Sequence, residues 1–130
     1  MRILIVEDDE ASGVFLKKVL SSYGDCDITY DGMETLEAYL LSLQDNEPYD
    51  LICLDIMIPK VNGVKVLKSI RELERKKRVK KNQRVKVIII TALAETQFLN
   101  DSLTDGYDIY VQKPIEKEKL HETICKLGLL

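Results

Sequence analysis

The sequence predicts an α/β domain built on a doubly wound, five-stranded parallel sheet. Short apolar runs rich in β-branched residues alternate with segments whose apolar residues recur at helical spacing. Three of these runs lack polar alternation, which is typical of strands buried on both faces. The length of 130 residues suits one domain. Strand–helix alternation at this spacing favours right-handed crossovers, with helices on both faces of the sheet.

Each element follows from its own pattern. The predicted strands lie at 3–6, 26–30, 51–54, 85–90 and 107–111. Four amphipathic helices are predicted between and after them, and a short further helix at 95–101. Their apolar stripes are Val14, Phe15 and Val19; Met33, Leu36, Leu40 and Leu43; Val64, Leu67 and Ile70; and Leu120, Ile124 and Leu127.

The charge distribution is more informative than the total. A net charge of -3 favours neither a nucleic-acid-binding protein nor an acidic disordered tail. The segment 71–86, however, carries nine basic and two acidic residues. A solvated extension of the third helix explains this run, but so does a surface for an acidic partner, or for nucleic acid. The absence of an aromatic residue from the run argues against stacking on single strands.

Cysteine usage and hydropathy indicate a cytoplasmic protein. The cysteines Cys26, Cys53 and Cys125 are odd in number and widely spaced, so we expect buried, reduced thiols and neither a zinc site nor a disulfide framework. No charged-then-apolar leader precedes the first strand, and no apolar run exceeds four residues, so neither a targeting peptide nor a membrane span is expected.

Polar side chains follow four of the predicted strands. The acidic run 7–10 follows the first strand, Asp55 the third, Thr91 the fourth and Lys113-Pro114 the fifth. Ligands of such sheets bind beyond the carboxyl ends of the strands, so we expect these groups to converge there. Clustered carboxylates suit Mg²⁺, and a carboxylate beside Mg²⁺ can attack phosphorus while Lys113 and Thr91 stabilise the transferring phosphoryl group.

A structural explanation covers part of the acidic run. Asp9 and Glu10 are expected to cap the first helix, because negative charge is favourable at a helix N-terminus. That explanation fits Glu7, Asp8 and Asp55 less well. Asp55 continues an apolar run with no helix beside it, so a metal or lysine partner is needed to offset its burial.

The chain resembles the receiver domains of response regulators, in particular the stand-alone chemotaxis-type regulators. The resemblance rests on Ile-Leu-Ile-Val-Glu-Asp-Asp (3–9), Leu-Asp-Ile-Met-Ile-Pro-Lys-Val-Asn-Gly (54–63), Ile-Ile-Thr-Ala (89–92) and Tyr-Val-Gln-Lys-Pro (110–114). Each piece alone is weakly specific, but together and in this order, at predicted strand ends, they are highly specific. The resemblance covers essentially the whole chain and implies a flavodoxin-like sheet in the order 2-1-3-4-5.

The resemblance implies a role for each site residue. Asp55 is expected to be the phosphoacceptor, with Thr91 and Lys113 contacting the phosphoryl oxygens. Mg²⁺ is expected at Glu7, Asp8, Asp55 and the backbone carbonyl of Met57. Thr91 and Tyr110 are expected to form the switch, the bond before Pro114 to be cis, and Pro59 and Gly63 to shape the loop after Asp55. By pattern alone Tyr110 could also be an ordinary surface aromatic, and His121 is assigned no role.

The implied function is a phosphorylation-activated relay of a two-component system, in which the protein is a switch and not an enzyme in the usual sense. The donor is expected to be a sensor histidine kinase or a phosphotransfer protein. Signalling to a downstream protein is expected through the helix at 95–101, the fifth strand and the last helix. We expect a single receiver domain over 1–130 without an output domain, no direct DNA binding, and a monomer or a phosphorylation-dependent dimer.

Two apolar positions set an expectation about lifetime. Met57 and Leu93 lie two residues beyond Asp55 and Thr91, where relatives influence hydrolysis of the acyl phosphate. Neither side chain can orient water, so we expect slow self-dephosphorylation. Asn62 stands where many relatives carry Asp, with little consequence expected.

Three other classes remain as alternatives. A Mg²⁺-dependent phosphatase or phosphotransferase would usually need a second acidic residue two positions after Asp55, where this chain has Met57. A pseudo-receiver scaffold is disfavoured by the intact Asp8, Asp55, Thr91 and Lys113. A flavin-binding electron carrier is disfavoured because no phosphate-binding loop follows the first strand.

Overall fold

The computed structural model describes residues 1–56, 58, 60, 62–92 and 106–130. Strands and helices alternate along this part of the chain. The strands are β1 (Arg2–Val6), β2 (Asp25–Thr29), β3 (Leu51–Asp55), β4 (Lys86–Thr91) and β5 (Ile109–Gln112). The helices are α1 (Glu10–Leu20), α2 (Gly32–Gln44), α3 (Gly63–Lys76) and α4 (Lys117–Lys126), with a 3-10 turn at Lys81–Gln83. The helix predicted at 95–101 lies outside the described residues.

All five strands are parallel and follow the order β2-β1-β3-β4-β5, which confirms the predicted topology. The strand order reverses between β1 and β3, so a crevice is expected at their carboxyl ends. The strand boundaries differ from the prediction in one respect that matters for the site. Asp55 and Thr91 are the last residues of β3 and β4, not the first residues after them. Backbone pairing within the sheet therefore holds both positions.

The sheet is covered on both faces, as its unbroken apolar strands predict. Alternate residues of each strand point to opposite sides, so that Leu4 and Val6 pack with α2 and α3 while Ile3 and Ile5 pack with α1 and α4. β3 is buried along its whole length, and β1 and β4 are buried apart from their first residues, Arg2 and Lys86. Among the described residues no helix has the length and apolar character needed to cross a membrane.

The buried stripes of α1 and α2 differ from the predicted ones. In α1 the buried residues are Gly13, Leu16 and Leu20, while Val14 and Phe15 are 57% and 44% exposed. In α2 they are Gly32, Thr35, Tyr39 and Ser42, whereas Met33 is exposed and Leu36, Leu40 and Leu43 are partly buried. The predicted stripes of α3 and α4 are confirmed.

Hydrogen bonds explain the polar stripe of α2. The Thr35 hydroxyl lies 2.8 Å from the Thr29 hydroxyl, and the Ser42 hydroxyl donates to the Tyr39 carbonyl at 2.6 Å. A buried polar group costs little once it is hydrogen-bonded. The polar side of α2 can therefore face the sheet, which leaves part of its apolar side toward solvent.

A buried carboxylate joins three elements on the α2–α3 face. Glu74 of α3 is wholly buried and accepts hydrogen bonds from the Tyr39 hydroxyl at 2.9 Å, the Val85 backbone N–H at 2.8 Å and Arg71 at 2.7 Å. Burial and the Glu74 charge raise the pKa of Tyr39 far above its ordinary value, so its hydroxyl stays a donor. The basic segment 71–86 is therefore not a fully solvated extension, because Glu74 is buried in the core and Arg71 is bonded to it.

The cysteines only partly fit the prediction of buried thiols. All three are free, but Cys53 alone is buried; Cys26 is half-buried and Cys125 is exposed. Burial raises the pKa of Cys53 to about 12 and also raises that of Cys26. Cys125 is exposed because it falls on the solvent side of α4, beside the exposed His121.

Replacing Tyr39 by Phe is expected to destabilise the fold by about 1–3 kcal/mol, because Glu74 loses one of its buried donors. Urea unfolding followed by circular dichroism measures this difference. Tyr30→Phe is the matched control, since Tyr30 is 45% exposed, and its effect should stay within about 0.5 kcal/mol. Equal unfolding midpoints for the two variants would show that the Tyr39–Glu74 bond contributes nothing.

Candidate functional site

Three carboxylates meet where the strand order of the sheet reverses. Asp55 ends β3 and is 3% exposed, while Glu7 directly follows β1 and is 1% exposed. Asp8 is exposed at the mouth of the crevice. One carboxylate oxygen from each of the three lies within 4.8 Å of the others. The predicted convergence of Glu7, Asp8 and Asp55 at the carboxyl edge is therefore present.

Lys113 brings a positive charge to this cluster from the end of β5. Its ammonium lies 2.9 Å from Asp55 Oδ2 and 3.9 Å from Glu7 Oε2. Its backbone N–H donates to the Thr91 carbonyl at 2.8 Å, which fixes Lys113 relative to β4. The Lys113–Pro114 bond is cis, as predicted. A charge-assisted hydrogen bond of this length stabilises the buried Asp55 carboxylate.

Glu7 is the member of the cluster whose carboxylate lacks a full set of hydrogen bonds among the described residues. Its Oε1 accepts from the Asp9 backbone N–H at 3.1 Å, but Oε2 is buried without a hydrogen-bond donor among the described residues. Burial raises the pKa of Glu7 to about 7; the Asp9 N–H opposes this rise, and the neighbouring Asp55 charge adds to it. A free carboxylate oxygen beside two further carboxylates is a donor set that fits a hard divalent cation such as Mg²⁺.

Thr91 lies at the end of β4, beside the end of β3. Asp55 pairs with Ile90 in the sheet, so Thr91 lies one residue further along the neighbouring strand. The residue is wholly buried and its hydroxyl donates to the Ala92 carbonyl at 3.1 Å. This weak local bond can be exchanged for a ligand oxygen at low cost.

The rest of the acidic run caps a helix, as expected. Asp9 is the N-cap of α1, and its side chain accepts from the Ser12 backbone N–H at 3.1 Å. Glu10 lies in the first turn of α1. The run thus divides by function: Glu7 and Asp8 face the crevice, while Asp9 and Glu10 complement the helix dipole.

Comparison with known proteins decides the family. A family model described as the response regulator receiver domain matches residues 3–125. The chain belongs to this family. It is 38% identical over 120 residues to the response regulator ArlR of Staphylococcus saprophyticus, which covers 92% of this chain and 48% of that protein. Identity is 35% over 121 residues, with the same coverage, to the transcriptional regulatory protein DltR of Streptococcus agalactiae. The chain thus spans about half the length of the curated relatives it matches.

Solved structures agree with this assignment. CheY in the CheX–CheY–BeF₃–Mg²⁺ complex of Borrelia burgdorferi is 26% identical, with a TM-score of 0.80 over 98% of this chain and 89% of that chain. A Francisella response regulator receiver domain is 30% identical, with a TM-score of 0.70 over 97% and 94%. The fold is also shared by the receiver domain of the sensor kinase PA1611 of Pseudomonas aeruginosa, solved with magnesium in its active-site cleft (24% identity, TM-score 0.76, 96% of this chain and 94% of that chain).

The loop after Asp55 in this receiver domain depends on a close approach at Gly63. The Gly63 N–H donates to the Ile56 carbonyl at 2.9 Å. A Cβ added to Gly63 would lie 2.6 Å from Ile56 Cα and 2.8 Å from the Ile56 carbonyl oxygen. Gly63 starts α3 and does not have a positive φ. Space for the backbone, and not conformational freedom, requires glycine here.

Three predicted positions of the receiver domain cannot be compared with the structure. Met57, whose carbonyl was expected to bind metal, Pro59 of the loop and Leu93 lie outside the described residues. Asn62 is described and acts as the N-cap of α3, with its side chain accepting from the Lys65 N–H at 3.0 Å. Aspartate caps helices equally well, which agrees with the small consequence expected of Asn62.

Tyr110 lies on the edge strand β5 and is 40% exposed. Its ring packs edge-on against Tyr107, with 6.5 Å between the centroids. The ring is therefore outside the core in this state of the receiver domain. Such a position is compatible with a rotameric switch and equally with an ordinary surface aromatic.

Sequence reasoning missed an apolar rim beside the site. We call the side chains of Phe15, Pro114 and Ile115 the apolar rim; with Ser12 and Lys113 they line a shallow cavity of about 270 Å³. Phe15 was predicted to be core, yet it is 44% exposed, because α1 buries Leu16 and Leu20. Helical spacing alone could not reveal this, since α1 carries two adjacent apolar stripes.

Replacing Gly63 by Ala is expected to destabilise the receiver domain by about 1–3 kcal/mol, because the new methyl group must displace the backbone at Ile56. Urea unfolding gives the energy, and the Ile56 amide shift in NMR gives the displacement. Gly13→Ala, within α1, is the matched control, because a Cβ at this position would lie 3.6 Å from Ile28, an ordinary contact distance. This variant should leave the stability unchanged or raise it by up to about 1 kcal/mol. If both alanines behave alike, the close approach at Gly63 has no energetic importance.

Proposed function

We propose that this receiver domain accepts a phosphoryl group on Asp55 from a histidine kinase or a histidine phosphotransfer protein. One observation carries the proposal: the buried Asp55 carboxylate lies close to the carboxylates of Glu7 and Asp8, and its Oδ2 is 2.9 Å from the Lys113 ammonium. Lys113 alone would satisfy a buried structural aspartate, so the two further carboxylates are what distinguish this site. The family assignment supports phosphorylation-dependent signalling, while the donor and the residue roles are the proposal itself.

The transfer is a displacement at phosphorus. An Asp55 oxygen forms the new P–O bond as the P–N bond to the donor imidazole breaks, and the imidazole leaves with the bonding electron pair and is then protonated. Mg²⁺, when bound, would be held by Glu7, Asp8, Asp55 and the Met57 carbonyl and would supply positive charge to the phosphoryl oxygens. The Lys113 ammonium, released from its pairing with the carboxylate, contacts the same oxygens. The buried position of Asp55 limits water at the reacting centre.

The proposed signal begins at Thr91. Its hydroxyl exchanges the bond to Ala92 for a phosphoryl oxygen, and the Tyr110 ring then moves from its exposed position toward the core. This would change the surface made by β5, α4 and the segment at 95–101, whose structure is not described. A downstream protein is the proposed reader of that surface. A single-domain chain, a cytoplasmic location and the oligomeric state stay predictions of the sequence analysis.

Incubation with acetyl phosphate is expected to add the mass of one phosphoryl group, seen by intact-mass spectrometry, only when Mg²⁺ is present. Asp55→Asn should abolish this adduct, because an amide cannot form the acyl phosphate. Asp25→Asn is the matched control, since Asp25 is exposed at the start of β2, far along the sheet from the carboxyl edge. Asp8→Asn should raise the Mg²⁺ concentration required by about tenfold or more.

Two results of this experiment would contradict the proposal. One is an adduct that persists in Asp55→Asn; the other is an adduct that forms equally well in EDTA. The same phosphorylated sample tests the switch, because the Tyr110 ring signals in NMR should shift only when Asp55 is modified. Its decay also tests the expectation of slow self-dephosphorylation, which Met57→Asn should accelerate.

The apolar rim is the proposed docking surface for the protein donor. A donor must bring its phosphohistidine to Asp55, and Phe15 and Ile115 are the apolar side chains beside Lys113 that it would cover. Phe15→Ser is therefore expected to slow phosphorylation by the protein donor about tenfold, while acetyl phosphate still reacts at the wild-type rate. Met33→Ser is the control, since Met33 is an exposed apolar residue on α2. Equal loss with both donors would show that Phe15 affects the site and not docking.

A further inference from the structure

A basic cleft lies at the other end of the sheet from Asp55. It is formed by the second half of α3, residues 81–86 and residues 106–108, and it encloses about 740 Å³. Its basic side chains are Lys68, Arg71, Arg75, Lys81, Arg84 and Lys86. Because Lys86 begins β4 and residues 106–108 precede β5, the cleft lies at the amino-terminal ends of the two strands whose other ends carry Thr91 and Lys113.

Some of these charges already have partners. Arg71 donates to Glu74, to the Val85 carbonyl and, at 2.7 Å, to the Gly106 carbonyl, so it is a structural part of the cleft wall. Arg75 pairs with Glu72. Lys86 lies 4.0 Å from Asp108, at the limit of an ion pair.

Three other basic side chains of the cleft have no acidic partner in the part of the chain that the structure describes. Among the described residues Lys68, Lys81 and Arg84 form no ion pair. The Nε of Arg84 is moreover buried and has no hydrogen-bond partner there. A buried donor without an acceptor is costly, and guanidinium groups favour planar oxyanions as acceptors. The Nε itself is closed to solvent, so it is the uncompensated positive charge of Lys68, Lys81 and Arg84 around the cleft that points to an anionic ligand.

An aromatic ring completes the cleft. Tyr107 lines it, half-buried, from the segment that precedes β5. The segment 71–86 itself contains no aromatic residue, so the ring of Tyr107 comes to the cleft from elsewhere in the chain. Cationic side chains beside an aromatic face are the combination that holds a phosphate group and a nucleobase together.

We propose that the basic cleft binds a nucleoside polyphosphate. Lys68, Lys81 and Arg84 contact the phosphates, and the base packs on Tyr107. A cavity of this volume suits a small ligand, whereas nucleic acid needs a row of phosphate contacts along an extended surface. An acidic peptide would satisfy the charges but would make no use of the ring. This site is separate from the acidic crevice and does not depend on phosphorylation of Asp55.

The test is an NMR titration of the intact chain with adenosine and guanosine triphosphates and with inorganic triphosphate, in EDTA and at near-physiological salt. EDTA prevents a metal-bridged complex at the acidic edge, and salt suppresses unspecific attraction. Binding should shift the amides of residues 84–86 and 106–108. Lys68→Gln with Lys81→Gln should weaken it about tenfold or more. Lys17→Gln with Lys18→Gln removes the same charge from the exposed side of α1 and should leave it unchanged.

A second variant tests the nucleoside part. Tyr107→Leu should weaken nucleotide binding about fivefold or more and leave inorganic triphosphate unaffected. Three outcomes would overturn the proposal: no shifts at these amides with millimolar nucleotide, equal weakening in the two lysine pairs, or tighter binding of oligoglutamate than of nucleotide at the same amides. Equal affinity for inorganic triphosphate and nucleotide would overturn the nucleoside assignment.

Discussion

Two buried carboxylates at one edge of a parallel sheet impose the constraint on which the rest of this structure depends. Glu7 and Asp55 offer oxygens within 4.8 Å of each other and of Asp8. At that distance two like charges repel by about 3–4 kcal/mol for an effective dielectric constant of about 20. Lys113 offsets only part of this, because its ammonium bonds Asp55 at 2.9 Å but lies 3.9 Å from Glu7. A divalent cation would balance this charge, and the three carboxylates are a donor set that fits one.

The fold makes this constraint possible because it holds each charge from a different strand. Asp55 belongs to β3 itself, and Glu7 is tied to β2 by its backbone N–H, which donates to the Thr29 carbonyl at 3.1 Å. Lys113 is held to β4 through the Thr91 carbonyl. None of these side chains depends on a long mobile loop for its position. The crevice is thus preorganised by the same hydrogen bonds that form the sheet, and the core on both faces stabilises it.

The sequence was sufficient for the topology and for the acidic edge, and insufficient where hydrogen bonding decides the packing. Unbroken apolar runs predicted the strands, and Asp55 stood out because a charge interrupts such a run. The predicted stripes of α1 and α2 were wrong by a residue. In α1 two apolar stripes lie side by side, and in α2 apolarity alone ranked Met33 above the polar residues Thr35 and Ser42. Those polar residues can be buried because the Thr29 hydroxyl and the Tyr39 carbonyl satisfy their hydroxyl groups, which an apolar pattern alone does not reveal. The requirement for Gly63 likewise arises from the backbone of Ile56, seven residues away, which becomes visible only in three dimensions.

The two ends of the sheet carry opposite charge, and β5 joins them. Its carboxyl end leads to Lys113 in the acidic crevice, while the residues before its amino end are held by Arg71, which bonds Gly106 and lies 3.5 Å from Asp108. Asp108 in turn accepts from the Val87 backbone N–H at 2.7 Å, so the start of β5 is fixed to β4 and α3 together. All four residues of β5 pair with β4, so both ends of the strand are held in one register. The acidic crevice and the basic cleft are therefore anchored at opposite ends of one short strand, each by its own set of side-chain and backbone bonds.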